Sequence, residues 1–525
     1  MKMLLLAINA KYIHSNPAIY SLKAYADREY QGIVTTKEYT INNSANDILR
    51  GIYEEAPDIL GISCYIWNID MVERLLTDIP SLLPNTDIWL GGPEVCYHTE
   101  DYLKSHPLLK GIMTGEGELL ITRLIGMYLN NNMPAGQLVL RAEDEHSAPL
   151  NMNDIPFIYY QNIESFHNRI IYYESSRGCP YRCSYCLSSI DKSTRFRDIN
   201  HVKQELKYFL DKNVRQVKFV DRTFNCDRAR ADEIWQFLID NDNGYTNFHF
   251  EIAADIMNDS SIDILNRMSP GLVQLEIGVQ TTNKDTLQAI NRVQDIRHVR
   301  DIVSRLNAPH NIHLHLDLIA GLPYEDIKSF RNSFNEVYSM EPCQLQLGFL
   351  KVLKGTDIEK QAAEYNIKYS GHAPYEVMST TWLSYDDISL LKDIEEVLET
   401  YYNSAQFTIT LPYLAGFFET PYDMYKALAL FYRRNDYFVK VPARSRKYEI
   451  LLEFAKECTE ADGQLLTEKL TIDYYLREKP KKKPSFAGRL PENIIINYDE
   501  TDPITGNHPF NVISNFDLKY SIYSL

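Results

Sequence analysis

Apolar and polar positions along the first 140 residues fall into short alternating runs. Segments 3–7, 33–39, 59–63, 88–90 and 111–114 read as strands, whereas 18–27, 45–55 and 68–76 carry helical periodicity. Strands that alternate with helices imply a parallel sheet in an α/β sandwich. Residues 141–168 mix charges with little periodicity and read as a linker, with 142–155 crossing into the next unit. From residue 170 onward, strand-like runs recur at 170–173, 216–220, 247–252, 273–278, 312–319 and 344–352. Their spacing suits a parallel (β/α) barrel or part of one. Helical periodicity at 384–402, 424–432 and 447–458 marks residues 361–525 as a mostly helical domain of its own.

A chain of 525 residues exceeds what one core organises, so several domains are expected. A net charge of −17 excludes a nucleic-acid binder that works by general electrostatics. It therefore turns the aromatic and basic residues at 431–434 and 440–448 into a packed helix with a solvated face, and the basic run 477–483 into an exposed linker. The apolar start, residues 3–8, is cut short by Asn9 and Lys11 and reads as a buried strand rather than a signal peptide. No run is long enough for a membrane span. Of eight cysteines five are scattered, which points to a reducing, cytoplasmic setting.

In open parallel sheets ligands sit beyond the carboxyl ends of the strands. The loops that follow the first-domain strands are 9–16, 63–68, 91–98 and 115–118. Two of them begin Gly91-Gly92-Pro93-Glu94 and Gly115-Glu116-Gly117-Glu118, and paired glycines let a flat ligand approach the backbone.

The most informative stretch is 174–189, ESSRGCPYRCSYCLSS, directly after a strand. Cys179, Cys183 and Cys186 form a C-x3-C-x2-C array with Tyr185 before the last cysteine. Three thiolates on a tight loop can hold three irons of a cubane and leave the fourth open, where four-cysteine electron-transfer sites would close it. Zinc is the competing reading, but zinc prefers four ligands and no second Cys or His pair accompanies the triplet.

Here the chain resembles the radical S-adenosylmethionine (SAM) superfamily, whose signature is a C-x3-C-x-aromatic-C loop. The resemblance implies a 4Fe–4S cluster on Cys179, Cys183 and Cys186, with SAM bound at the open iron and cleaved to a 5′-deoxyadenosyl radical. It implies a partial barrel of six strands, with Tyr185 against the adenine. Further SAM contacts implied by motif are Asp221 in DRTFN, Glu276 and Gln280 in E-x-G-x-Q-T, Ile319 in D-x-I-x-G-L-P-x-E, and Gly355 in L-x-G-T. Glu251 and Ala253-Ala254 end the third strand near that site. His313 and His315 read as satisfied barrel-interior residues.

The first domain resembles the Rossmann-like cobalamin-binding domain that precedes many radical SAM barrels. That implies a corrin over Asn9, Ser63, Gly91, Gly92, Pro93, Gly115 and Glu116. No D-x-H-x-x-G segment is present, and His14 and His98 lack that context, so cobalamin bound without a protein histidine is the preferred reading. The layout resembles cobalamin-binding radical SAM proteins with a C-terminal domain of unassigned function, expected to close the substrate cavity. Methylation of an unactivated carbon is the usual outcome in that branch. A non-methylating rearrangement, radical chemistry without cobalamin, and an iron–sulfur sensor are the alternatives. The expected partners are a substrate the sequence leaves open and an electron donor such as flavodoxin or ferredoxin, with no membrane and no nucleic acid.

Overall fold

The computed structural model describes residues 1–145, 149–191, 193–477 and 484–487, and the backbone of two paired strands, Ile494–Tyr498 and Phe510–Ser514. Residues 478–483 of the basic run lie outside the described residues.

The first domain is a six-stranded parallel sheet of β1 (Met3–Asn9), β2 (Val34–Thr40), β3 (Ile59–Ser63), β4 (Asp87–Gly91), β5 (Gly111–Thr114) and β6 (Leu138–Arg141). The strand order is β2-β1-β3-β4-β5-β6. Every residue of β1 is buried, as a strand covered by helices on both faces requires. Two apolar clusters, one on each face, form its core. Strand β6 falls in a stretch to which the sequence pattern assigns no element, because four residues are too few to show a period. The order turns outward in opposite directions from β1 and β3, so the ligand crevice of this sheet lies between their carboxyl ends.

The second sheet holds six parallel strands in sequence order: Ile171–Tyr173, Gln216–Phe219, Asn247–Ile252, Val273–Gln280, His313–Ala320 and Gln344–Phe349. The first and sixth are edges, so this is an open partial barrel. On the fourth strand buried apolar residues alternate with half-buried Gln274, Glu276, Gly278 and Gln280. The apolar set faces the surrounding helices and the polar set faces the lumen.

Unpaired edge strands need cover, and each edge has some. Backbone at His14, in the loop after β1, bridges to Ile170 beside the first barrel strand. At the other edge the Asn403 side chain accepts from Leu345 N–H at 2.9 Å and donates to the Leu345 carbonyl at 2.9 Å, standing in for a neighbouring strand. The C-terminal helices Tyr385–Leu398, Pro421–Arg434, Arg444–Cys458 and Gly463–Arg477 share one continuous apolar core with the barrel. Those residues pack directly on the barrel as the mostly helical C-terminal region. No described helix is long and apolar enough to cross a membrane.

Candidate active site

The cysteine loop leaves the first barrel strand through a stitched root. Asp221, at the end of the second strand, is fully buried and accepts from Ser175 N–H (2.8 Å), Ser175 Oγ (2.6 Å) and Ser176 Oγ (2.6 Å). Burial pushes its carboxyl up to about 6 against those bonds. Expected to receive the SAM ammonium, Asp221 instead has both oxygens committed to the loop. Asn225 of the same segment ties the second strand to the third through Ala253, donating at 2.7 Å and accepting at 2.9 Å.

A two-residue antiparallel ladder, Ser176–Arg177 with Arg195–Phe196, then frames the turn at Gly178. Gly178 has φ +91°, and a Cβ there would stand 2.2 Å from the Ser193 carbonyl oxygen, so only glycine fits. Cys179 and Cys183 are buried, Cys186 is half-buried, and all three are free thiols. Thr223 Oγ1 lies 3.7 Å from Cys179 Sγ. The Arg292 guanidinium donates to Cys183 Sγ at 3.8 Å and also to the Gly278 carbonyl. Burial disfavours the charge of Arg292, yet Tyr185 and Cys183 beside it hold its pKa above the ordinary value. Burial pushes the Cys183 thiol up, and Arg292 opposes the shift.

Among the described residues no three His, Cys, Asp or Glu side chains converge on a single ion. Zinc prefers four protein ligands and this loop supplies three thiols, whereas a cubane can be held by three cysteines. Three free soft donors beside a buried cation that favours thiolate fit an iron–sulfur cluster. Arg292 carries no motif signal that the sequence reading used. It sits on the turn after the short helix Lys284–Ala289, and only the fold brings it to Cys183.

Around the loop, Tyr185 packs on the barrel core and Ile319 is half-buried on the lumen side of the fifth strand. Gln280 has φ +69° at an irregularity in the strand register, and its Oε1 has no hydrogen-bond partner. Its amide folds back over Gly278, where a Cβ would lie 2.3 Å from Nε2. Gly355 has φ +83°, and the place of its Cβ is filled by the Tyr97 ring at 2.3 Å, a contact with the first domain.

The lumen side carries a layer of ionisable groups. Glu276 Oε2 accepts from Lys218 Nζ at 3.1 Å and lies 2.9 Å from His249 Nε2. Burial alone would raise this carboxyl, but His249 and Lys218 hold it down at about 2. Glu251 goes the other way, to about 7, through burial and then the Glu276 charge. His315 Nε2 stands 3.1 Å from Asp317 Oδ1. Burial would lower His315, but Asp317 raises it, while burial raises Asp317 itself.

Several residues expected at the corrin are spent on protein partners. Asn9 Nδ2 donates to the His14 carbonyl and to Glu38 Oε1, and Ser63 Oγ donates to the Leu6 carbonyl and accepts from Asn16. Gly92 (φ +110°) and Gly115 (φ +85°) lack Cβ atoms because the Cys64 carbonyl and Ala142 occupy those positions at 2.5 and 2.9 Å. Glu116 is held by Arg195 at 2.6 Å and Arg177 at 3.1 Å, where burial would raise it but the two cations lower it. Gly91, the last residue of β4, and Pro93, on the loop after it, are half-buried. His14 Nδ1 is 2.6 Å from the Tyr172 hydroxyl, and His98 Nε2 is 3.2 Å from Glu359. Tyr65 and Trp67, not among the expected site residues, stack their rings at 4.4 Å and 7° on the loop after β3, beside the crevice. Trp67 is 42% exposed, and this flat apolar surface fits a planar macrocycle. Two aromatics one residue apart, in a six-residue loop at the carboxyl end of a strand, are the available signal.

A B12-binding domain model matches residues 3–125, a radical SAM superfamily model matches 173–337, and a family described as a protein of unknown function (DUF4080) matches 363–510. The cobalamin-dependent radical SAM methyltransferase TokK of Streptomyces tokunonensis is 27% identical over 318 residues, 55% of this chain and 46% of that protein. The 2-(S-pantetheinyl)-carbapenam-3-carboxylate methyltransferase of Streptantibioticus cattleyicolor is 26% identical over 60% of this chain and 50% of its own length. An anaerobic magnesium-protoporphyrin IX monomethyl ester cyclase of Synechocystis is 26% identical over 46% of this chain and 51% of its own. The chain thus spans about half the length of the curated relatives it matches. Among solved structures, the cobalamin-dependent SAM radical enzyme OxsB with aqua-cobalamin bound aligns at TM-score 0.60 and 13% identity, covering 90% of this chain and 79% of that one. The methyltransferase TsrM from Kitasatospora setae aligns at TM-score 0.55 and 14% identity, covering 69% and 78%. The chain carries a B12-binding domain followed by a radical SAM domain, and it is homologous to cobalamin-dependent radical SAM methyltransferases.

Proposed function

We propose that this protein uses SAM, a 4Fe–4S cluster and cobalamin to methylate an unactivated carbon of its substrate. The observation that carries the reading is the three-thiol loop at the carboxyl end of an open six-stranded barrel, joined by ion pairs to the loop after β5 of a B12-binding domain. When bound, the cluster supplies the electron for reductive SAM cleavage and cobalamin supplies a methyl carrier. Cys179, Cys183 and Cys186 hold the cluster, and Arg292 keeps positive charge beside Cys183. Tyr185, Gln280 and Ile319 line the SAM side, with Glu276 below them in the lumen and Gly355 at the contact with the first domain. The unpartnered Gln280 Oε1 accepts from SAM. On the facing side Gly91, Gly92, Pro93 and the Tyr65–Trp67 stack receive the corrin, with Asn9, Ser63, Gly115 and Glu116 shaping the loops behind it. An electron donor such as flavodoxin or ferredoxin is the partner this chemistry needs.

The likeness to the cyclase favours a second reading, a rearrangement without methyl transfer. Anaerobic turnover with methyl-labelled SAM, with and without hydroxocobalamin, separates the two. Methylation gives S-adenosylhomocysteine together with 5′-deoxyadenosine and places label in a product, dependent on hydroxocobalamin. Deoxyadenosine without homocysteine product or label would defeat methylation.

A further inference from the structure

The open edge of the barrel is covered at two places and bare between them. The sixth strand, Gln344–Phe349, pairs with the fifth and has no strand on its other side. Asn403 takes the outward N–H and carbonyl of Leu345 at 2.9 Å each. Cover resumes where Val377 N–H donates to the Leu350 carbonyl at 2.8 Å and Lys351 bridges to Glu376. Backbone groups alternate sides along a strand, so Leu347 sends its N–H and carbonyl to the same edge as Leu345. Among the described residues neither group has a partner there, although Leu347 is only 4% exposed. Buried backbone groups are nearly always paired, so this gap calls for an occupant.

A cleft of about 510 Å³ runs along the gap, between the strand and the helix Tyr385–Leu398. That volume suits a ligand site. On the strand wall Gln344, Gln346 and Gly348 pair with His315, Asp317 and Ile319 and share their lumen face. Gln346 is nonetheless exposed, so the lumen opens sideways into the cleft. On the helix wall stands half-buried Glu395, whose carboxyl is raised by burial and then by Glu399, Glu396 and Glu376, with no cation opposing. Of the two lysines in the wall, Lys392 is already paired with Glu376 and lies over the Phe349 ring, while Lys351 does not offset the Glu395 charge.

We propose that this cleft takes an extended peptide segment of the substrate as an added edge strand, its main-chain amides paired with Leu347 and a basic side chain received by Glu395. The inference rests on the reading that SAM is cleaved at the carboxyl end of this barrel, and it makes the substrate of that site peptidic. Leu347 offers one donor and one acceptor on a strand edge, which a peptide main chain matches and an anion does not. An anion would also meet the carboxylates of Glu376, Glu395 and Glu399. Side chains of an added strand alternate between faces, so every second one enters the lumen. Gly348, beside Ile319, leaves that side of the wall free of a side chain.

Main-chain pairing gives affinity whatever the side chains, so a generic probe tests it. The probe is the capped peptide acetyl-Thr-Val-Lys-Val-Thr-amide, with two counterparts, one N-methylated at its three central amides and one with norleucine in place of lysine. Residue-resolved amide exchange is followed on the full-length, anaerobically reconstituted protein. With probe at about ten times its half-saturating concentration, exchange at Leu347 should slow roughly tenfold. Leu345, already held by Asn403, should be unchanged. The N-methylated peptide should protect nothing. Glu395→Gln should raise the half-saturating concentration of the lysine probe about fivefold, as for a partly exposed ion pair, and leave the norleucine probe unaffected. No slowing at Leu347 with millimolar probe, equal slowing with the N-methylated peptide, or a lysine preference untouched by Glu395→Gln would overturn the proposal. 5′-Deoxyadenosine formation is measured on the same preparations. SAM cleavage without protection at Leu347 sinks the peptide cleft alone, whereas protection without SAM cleavage supports the cleft and sinks the enzymatic reading beneath it.

Discussion

Arg177, two residues before Cys179, donates to Glu118 of the first domain at 2.8 Å. The same guanidinium reaches Glu116 at 3.1 Å and Glu174 at 2.8 Å, and Arg195 adds a second hold on Glu116 at 2.6 Å. The Gly-Glu-Gly-Glu segment thus fastens the B12-binding domain to the root of the cysteine loop. Glu118 is almost fully buried, so truncating its partner leaves a carboxylate uncompensated. Arg177→Ala should cost about 3–5 kcal/mol in denaturant unfolding. Iron content and cobalamin retention after gel filtration should drop together, and Arg177→Lys should recover part of both. An alanine variant with full stability and full retention of both would show that the two loops are set independently.

Asn403 offers a local test of how the open edge of the barrel is closed. Asn403→Ala leaves the Leu345 N–H and carbonyl without the partners they now have, a loss of about 1–3 kcal/mol. Amide exchange at Leu345 should accelerate while exchange in β1 stays as it was. Unchanged protection at Leu345 would mean that other cover closes this edge.

Asp473 is fully buried and accepts from Ile409 and Thr410 N–H, and burial pushes its carboxyl to about 7 from an ordinary 3.8. The folded protein therefore holds a proton that the unfolded chain releases near 3.8. Stability falls as pH rises across that window and levels off above about 7. Other carboxyls contribute slopes of their own, so the useful quantity is the difference between wild type and Asp473→Asn. That difference should change between pH 4 and 7 (the bounds set by the shift) in the direction that favours Asn at higher pH. Parallel curves would contradict it.

What the sequence disclosed and what it withheld follow from range. Period-two and helical patterns are local, so the six barrel strands were found close to their observed bounds. The cysteine array is local too, and its spacing is legible in the sequence as a loop of three thiols that can hold an iron–sulfur cluster. Partner choice is not local. Glu116 reads as a ligand-facing loop residue until the fold brings Arg177 and Arg195 to it. Asp221 reads as an acceptor for a ligand amine until Ser175 and Ser176, 46 and 45 residues earlier, fill its oxygens. Gly355 was read from its motif alone, and only the fold sets the Tyr97 ring against it. Arg292 and the Tyr65–Trp67 stack went unnoticed because neither sits in a motif with a recognisable spacing.

The most direct measurement is the fate of SAM with the anaerobically reconstituted full chain and a strong reductant. The account predicts 5′-deoxyadenosine from the wild type and none from Cys183→Ala, with the variant still folded by circular dichroism. Intact SAM after incubation with iron-loaded wild type, or undiminished deoxyadenosine from the variant, would contradict it.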